Sequence, residues 1–236
     1  MAREELATLD RLATVPIPFI LASRSPARLA TLRSAGIEPA VHISDVDEDA
    51  VLAAAADTFP LERGRDLTPA DAVLELARAK AEAVVELREE TEAIVLGCDS
   101  MLELAGEIHG KPHNAEAARK RWRLMRGRTG VLHTGHWLIR IRPDAGGAIY
   151  SGVGGTGSTV VHFADIDDYE IDAYVATGEP LHVAGAFTVD GLGGPFVDKI
   201  EGDHHNVVGV SLPLVRELLS EVGLRIPDVW QPRGAL

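Results

Sequence analysis

Apolar and polar positions alternate in short segments of differing period. Residues 18–22 form an apolar run closed by Ser23-Arg24-Ser25, the pattern of a short buried strand. Pro26 suits a first helical position, with Ser25 as N-cap and Gly36 just past the end, and Leu29, Leu32 and Ala35 supply a core stripe. Residues 44–49 read as an acid-rich loop. Thr68-Pro69-Ala70-Asp71 predicts a helix start, and Val73, Leu76, Ala77, Val84 and Leu87 keep helical spacing after it. Residues 93–97 predict a strand ending at Cys98-Asp99, and residues 101–104 and 107–109 a hairpin around Ala105-Gly106. Asn114 caps a predicted helix that runs to Arg126 and stops at Gly127.

The C-terminal half continues with predicted strands at residues 131–142 and 158–163, joined through a turn at 143–147. A helix over 168–177 ends at Gly178, short strands follow at 187–189 and 196–200, and a last helix spans 213–222 before Gly223. Strands and helices alternate irregularly, with hairpins in the middle. This favours a mixed sheet with flanking helices over a repeated βαβ chain. No internal repeat and no separating linker is visible, so residues 1–236 are expected to form one domain.

Composition narrows the partners. A hydrophobic content of 46% and a charged content of 25% are those of an ordinary globular protein. With 36 acids against 23 bases the net charge is −13, which disfavours DNA or RNA as a partner. A small anionic ligand is compatible, because a basic pocket can sit inside an acidic protein. Residues 17–22 are apolar but far shorter than the ~18 residues a membrane span needs, and no signal peptide is visible in residues 1–14. Cys98 is the sole cysteine, so an intrachain disulfide and a thiolate zinc cluster are excluded, and a cytoplasmic setting is expected.

Three places could carry chemistry. Ser23-Arg24-Ser25-Pro26-Ala27-Arg28 joins a strand to a helix, where backbone N–H groups and the positive helix end favour a phosphate. Hydroxyls and Arg28 add donors there; the alternative is a simple N-cap beside a surface arginine. Lys80 falls on the apolar stripe of its helix, so it either snorkels outward or faces an anionic partner. Asp99 closes an apolar strand, where open α/β sheets place ligands, and can hold Mg²⁺ or orient water, or merely cap a turn. Lys111 follows twelve positions later in Gly110-Lys111-Pro112, a cation on a stiffened loop.

Other motifs lead elsewhere. Gly152-Val153-Gly154-Gly155-Thr156-Gly157 matches G-x-G-x-x-G, but a strand follows where the dinucleotide motif needs a helix, so it reads as a flexible loop. Residues 106–111 fall short of a Walker A loop, because Pro112 stands where Ser or Thr is required. Of the nine histidines, His109 and His113 are split by Gly110 and Pro112. His133 and His136 point to opposite strand faces, and His204-His205 lies in a Gly/Asp loop. A histidine zinc site is not expected.

In order, the chain carries ILASRSPAR, SDVDE, LARAKA, GCDS, GEIHGKP, HTG, YVATGEP, AGAFTVDG and IEGDHHNVVGVSLPL. From about Phe19 to Leu219 this series resembles the Maf family of nucleotide pyrophosphatases, and its phrasing is nearest to the actinobacterial branch. The resemblance implies a Maf/ITPase-like two-lobed α/β fold, a mixed twisted sheet flanked by helices with a cleft between the lobes. It also implies Mg²⁺ or Mn²⁺ dependence, a nucleoside triphosphate substrate and a homodimer. Asp99 would take the general-base position, and Ser23 and Arg28, with Ser25 beside them, the phosphate-binding turn. Glu48 would be the metal-associated acid alongside Asp99, and Lys80 and Lys111 the two lysines. The chain departs from the family at Ala27 and Val183, where arginine and lysine are common, at Ser100 for threonine, and at Asp190 for glutamine. Asp190 is expected to contribute to substrate binding or to the metal site. The expected reaction is hydrolysis of a nucleoside triphosphate to monophosphate and pyrophosphate. The alternatives are release of a single phosphate, and a silent nucleotide-binding regulator of division.

Overall fold

The computed structural model describes residues 15–85 and 92–231. Its centre is a seven-stranded open mixed sheet. Strand β1 (Phe19–Ala22) is fully buried, and α1 (Pro26–Ser34) follows with Ser25 as N-cap, as its sequence predicts. After β2 (Ala40–Val41) comes α2 (Glu48–Arg63), and then α3 (Pro69–Val85). The acid-rich segment is therefore no simple loop. Asp47 caps α2 by accepting the Ala50 N–H at 3.0 Å, and Glu48 and Asp49 sit in its first turn, where the helix dipole favours acids. Leu87 lies outside the described residues.

Strand β3 (Ala93–Leu104) runs on through Asp99 instead of ending there. Residues 94–97 pair in parallel with β1, while residues 102–104 pair antiparallel with β4 (Glu107–His109) along the same edge. Between these partners, residues 98–101 have no strand beside them on that edge, and the opposite edge is held throughout by β5 (Thr129–Asp144). This break in the sheet is where the site forms.

Helix α4 (Ala115–Met125) precedes β5, and β6 (Gly147–Phe163) pairs with β5 along its entire length. The glycine-rich 152–157 segment is thus strand, not loop. A Cβ on Gly154 would lie 2.3 Å from the Trp137 ring, and one on Gly157 would lie 2.3 Å from the Asn206 amide oxygen, so these glycines admit large neighbours against an extended chain. Helix α5 (Asp168–Ala176), strand β7 (Val197–Glu201), and helices α6 (His204–Val208) and α7 (Leu212–Glu221) complete the order. His204 and His205 open a short helix capped by Asp203, where a loop was expected. Residues 187–189 form no strand, because Thr188 bonds to the side chains of Tyr174 and Glu179 instead of a neighbouring strand.

One face of the sheet carries two cores in succession. Leu21, Leu32, Leu96, Leu138 and Leu218 pack with α1 and α7. Leu102, Trp122, Leu132, Phe163 and Tyr174 pack with α4 and α5. These are the two lobes. The other face is covered by α3, through Ala81, Val84, Val95 and Ile139. A Cβ on Gly97 or Gly135 would come within 2.1 Å of an α3 carbonyl oxygen, so the helix lies unusually close to the sheet. That approach brings Lys80 onto Asp99.

Candidate active site

A cleft of about 580 Å³ opens at the break in the sheet. Ser23, Ser25, Arg28, Glu48, Lys80, Asp99, Lys111 and Asp190 all line it, so the residues singled out from the sequence converge on one crevice.

The carboxylate wall centres on Lys80. Its Nζ lies 2.5 Å from Asp99 Oδ1 and 2.7 Å from Glu48 Oε1, with the lysine and Asp99 side chains both only 13% exposed. Lys80 therefore faces anionic partners and does not snorkel outward. Partial burial pushes the Glu48 carboxyl upward, but the hydrogen bond and field of Lys80, with the charges of Lys111 and Arg28, outweigh it and hold the group below its ordinary value.

The opposite wall is built of hydroxyls. Ser25 Oγ accepts the Arg28 N–H at 3.3 Å, and the Ser25 N–H donates to Ser23 Oγ at 3.2 Å. Arg28 reaches from α1 across the break to β3, donating to the Cys98 carbonyl at 2.8 Å and to Ser100 Oγ at 2.9 Å. Cys98 is buried and its thiol is pushed up to about 12, so it is no nucleophile at neutral pH.

The rim is held by its own bonds. The Gly110 carbonyl beside Lys111 accepts from the Gly185 N–H at 3.2 Å and from the Arg121 guanidinium. Asp190 belongs to a loop gathered by Glu179. The Glu179 carboxylate accepts the Thr188 hydroxyl at 2.5 Å, the Tyr174 hydroxyl at 3.0 Å, and the N–H groups of Leu192 and Gly193 at 3.0 and 3.1 Å. Sequence reasoning missed Glu179, although it stands inside the YVATGEP segment. It also missed Asp45, which lines the cleft and pairs with Arg24 at 3.3 Å across exposed ground. An ion pair so exposed adds little stability.

Among the described residues, no group of three or more His, Cys, Asp or Glu side chains converges as a metal cage. Two carboxylates do meet at Lys80. Paired hard oxygen donors suit Mg²⁺ or Mn²⁺, which take one or two carboxylates and complete their shell with water and substrate phosphates. Glu48 and Asp99 are the residues that fit.

The chain matches the family described as Maf-like protein over residues 18–222. It belongs to the Maf family. Among its relatives, the nucleoside triphosphate pyrophosphatase of Rhodococcus jostii (strain RHA1) is 52% identical over 219 residues, covering 92% of this chain and 97% of that protein. The protein of the same name from Nocardia farcinica (strain IFM 10152) is 52% identical over 215 residues, covering 90% and 96%. The one from Streptomyces coelicolor (strain ATCC BAA-471 / A3(2) / M145) is 51% identical over 214 residues, covering 91% and 95%. Membership accounts for the two-lobed architecture and the shared cleft. Among the described residues, no helix of this Maf protein is long and apolar enough to cross a membrane.

Proposed function

We propose that this Maf protein hydrolyses nucleoside triphosphates to the monophosphate and pyrophosphate, the activity its relatives are named for. The observation that carries the reading is the meeting of Lys80, Glu48 and Asp99 with the Ser23 hydroxyl and Lys111 in one cleft. A triphosphate is polyanionic, and its hydrolysis needs cations around the phosphates and an acceptor for the proton of attacking water.

Lys111 and the turn that begins at Ser23 receive the phosphate tail. Asp99 orients a water molecule and takes its proton as the oxygen attacks the α-phosphorus. The bond from that phosphorus to the α–β bridging oxygen breaks, and pyrophosphate leaves as one unit. Lys80 holds Asp99 and Glu48 in register and offsets their charge. Glu48 and Asp99 would hold a divalent cation, which would supply positive charge beside the phosphate oxygens and lower the pKa of water. The same reading takes Mg²⁺ or Mn²⁺ as that cation, Asp190 as a contact near the base, a homodimer as the assembly and the cytoplasm as the setting. The one cysteine is free and buried, which suits a reducing compartment.

The test is a turnover screen of standard and modified triphosphates with Mg²⁺ and with Mn²⁺, detecting pyrophosphate and orthophosphate separately. Metal-dependent pyrophosphate release is expected. Orthophosphate as the first product, or nucleotide binding without turnover, would overturn the reading.

A further inference from the structure

Arg28 has the position of a phosphate ligand, yet its donors are spent inside the protein. A guanidinium carries five N–H groups. Four are committed: Nε to the Gly209 carbonyl at 2.7 Å, Nη1 to Ser23 Oγ at 2.9 Å and the Cys98 carbonyl at 2.8 Å, and Nη2 to Ser100 Oγ at 2.9 Å. With one N–H left, Arg28 cannot make the paired contact by which arginine grips a phosphate.

Hydroxyl accounting then separates two serines. Ser23 Oγ accepts from Arg28 and from the Ser25 N–H at 3.2 Å, so its lone pairs are filled and its proton must go elsewhere. Among the described residues nothing accepts that proton, and Ser23 lines the cleft. Ser100 is the reverse case. It accepts from Arg28 and meets Thr134 Oγ1 at 2.9 Å, while the Thr134 proton goes to the Asn206 carbonyl at 2.9 Å. Ser100 must therefore be the donor to Thr134, and it has no proton left for a ligand.

We propose that Arg28 is a positioning residue: it aims the Ser23 hydroxyl proton at a substrate phosphate oxygen and locks Ser100 beside Asp99, without itself bonding the substrate. The inference rests on the triphosphate reading above and deepens it. Ser23 is the phosphate donor, and Ser100 begins an internal relay that ends on α6. Lysine cannot replace the arginine, because one ammonium cannot reach four acceptors at once in the turn before α1, on β3 and at the end of α6.

The test joins nitrogen-15 NMR of the arginine side chains, titrated with inorganic pyrophosphate, to a double-mutant cycle of Ser23→Ala and Arg28→Lys read in KM and kcat. In the free protein the Arg28 Nη protons should be resolved and slow to exchange, and they should stay in place as pyrophosphate saturates the site. Ser23→Ala should raise KM about tenfold to a hundredfold in the natural background, the worth of a charge-assisted hydrogen bond, while kcat changes little. The same change in the Arg28→Lys background should raise KM less than about threefold, because the hydroxyl is no longer aimed. Ser100→Ala should also raise KM less than about threefold, which checks the assignment even if Arg28→Lys fails to fold. A large Nη displacement on adding pyrophosphate, or Ser23 and Arg28 effects that multiply independently, would overturn the role. A chain that releases orthophosphate yet shows the coupled pattern would sink the proposed reaction and leave the positioning role standing.

Discussion

The cleft wall made by α1, β3 and α6 and the wall made by α2, α3 and Asp99 both bring polar side chains to the break in the sheet, but they satisfy them differently. On the first, Arg28, Ser100, Thr134 and Asn206 bond to one another and to backbone carbonyls, with Thr134 and Asn206 fully buried. His136 extends this wall inward. Its Nε2 accepts the Ser211 N–H at 2.8 Å, so Nδ1 carries the proton and donates to the Thr134 carbonyl at 3.0 Å. On the second wall, Glu48 is half exposed and shares Lys80 with Asp99. In the proposed reaction this second wall meets the phosphates and the cation. One wall is a bonded scaffold and the other is the proposed place of chemistry, so mutations should separate stability from turnover.

The sharpest break between them is expected at Asp99. Asp99→Asn keeps the volume and removes the proposed base, and kcat should fall about 10²- to 10⁴-fold with the melting temperature nearly unchanged. Near-normal turnover in this variant would erase the distinction between the walls.

Acid should attack the scaffold next. Burial, with the positive charge of Arg28 behind it, holds the His136 imidazole down at about 4 from an ordinary 6.5. The folded-state value is depressed, so the stability is present above pH 6.5 and is lost as pH falls from there through about 4. The loss is on the order of 3 kcal/mol, read from urea unfolding across that window. A flat profile there would contradict the neutral histidine.

Thr134→Val should then cost about 1–3 kcal/mol, since the Ser100 hydroxyl and the Asn206 carbonyl both lose their partner in the interior, while kcat changes less than about threefold. Urea midpoints and steady-state rates on the same samples check both halves.

Glu48 should give the smallest effect on stability. Its carboxyl is held below the ordinary 4.5, so its contribution to stability is full above pH 4.5 and disappears as pH falls through the lower folded value. Glu48→Gln should remove a small part of the acid-unfolding slope in that range and leave the slope above pH 5 unchanged, within about 1 pH unit of the ordinary carboxyl value.

The same division explains what the sequence could tell. Caps and stops at Ser25, Gly36, Asn114, Gly127 and Gly178 are local signals, and the elements they bound lie where expected. Lys80 and Asp99 stood out because a charge on an apolar stripe or strand needs a partner. The continuation of β3 past Asp99 was hidden, because its pairing changes from parallel to antiparallel along one edge, and that is settled by distant chain. Helix α2 was hidden by acids that serve as its cap and first turn. The strand character of the glycine run depends on Trp137 and Asn206, two neighbours far away in sequence. Glu179 gathers four donors from helix α5 and one distant loop, and no spacing announces that.

The proposed reaction places water attack at the α-phosphorus in this cleft. Turnover of a nucleoside triphosphate in water enriched in oxygen-18, followed by phosphorus-31 NMR of the products, reads it directly. One labelled oxygen on the monophosphate and none on the released pyrophosphate are expected. Label on the pyrophosphate, or on orthophosphate formed first, would contradict it.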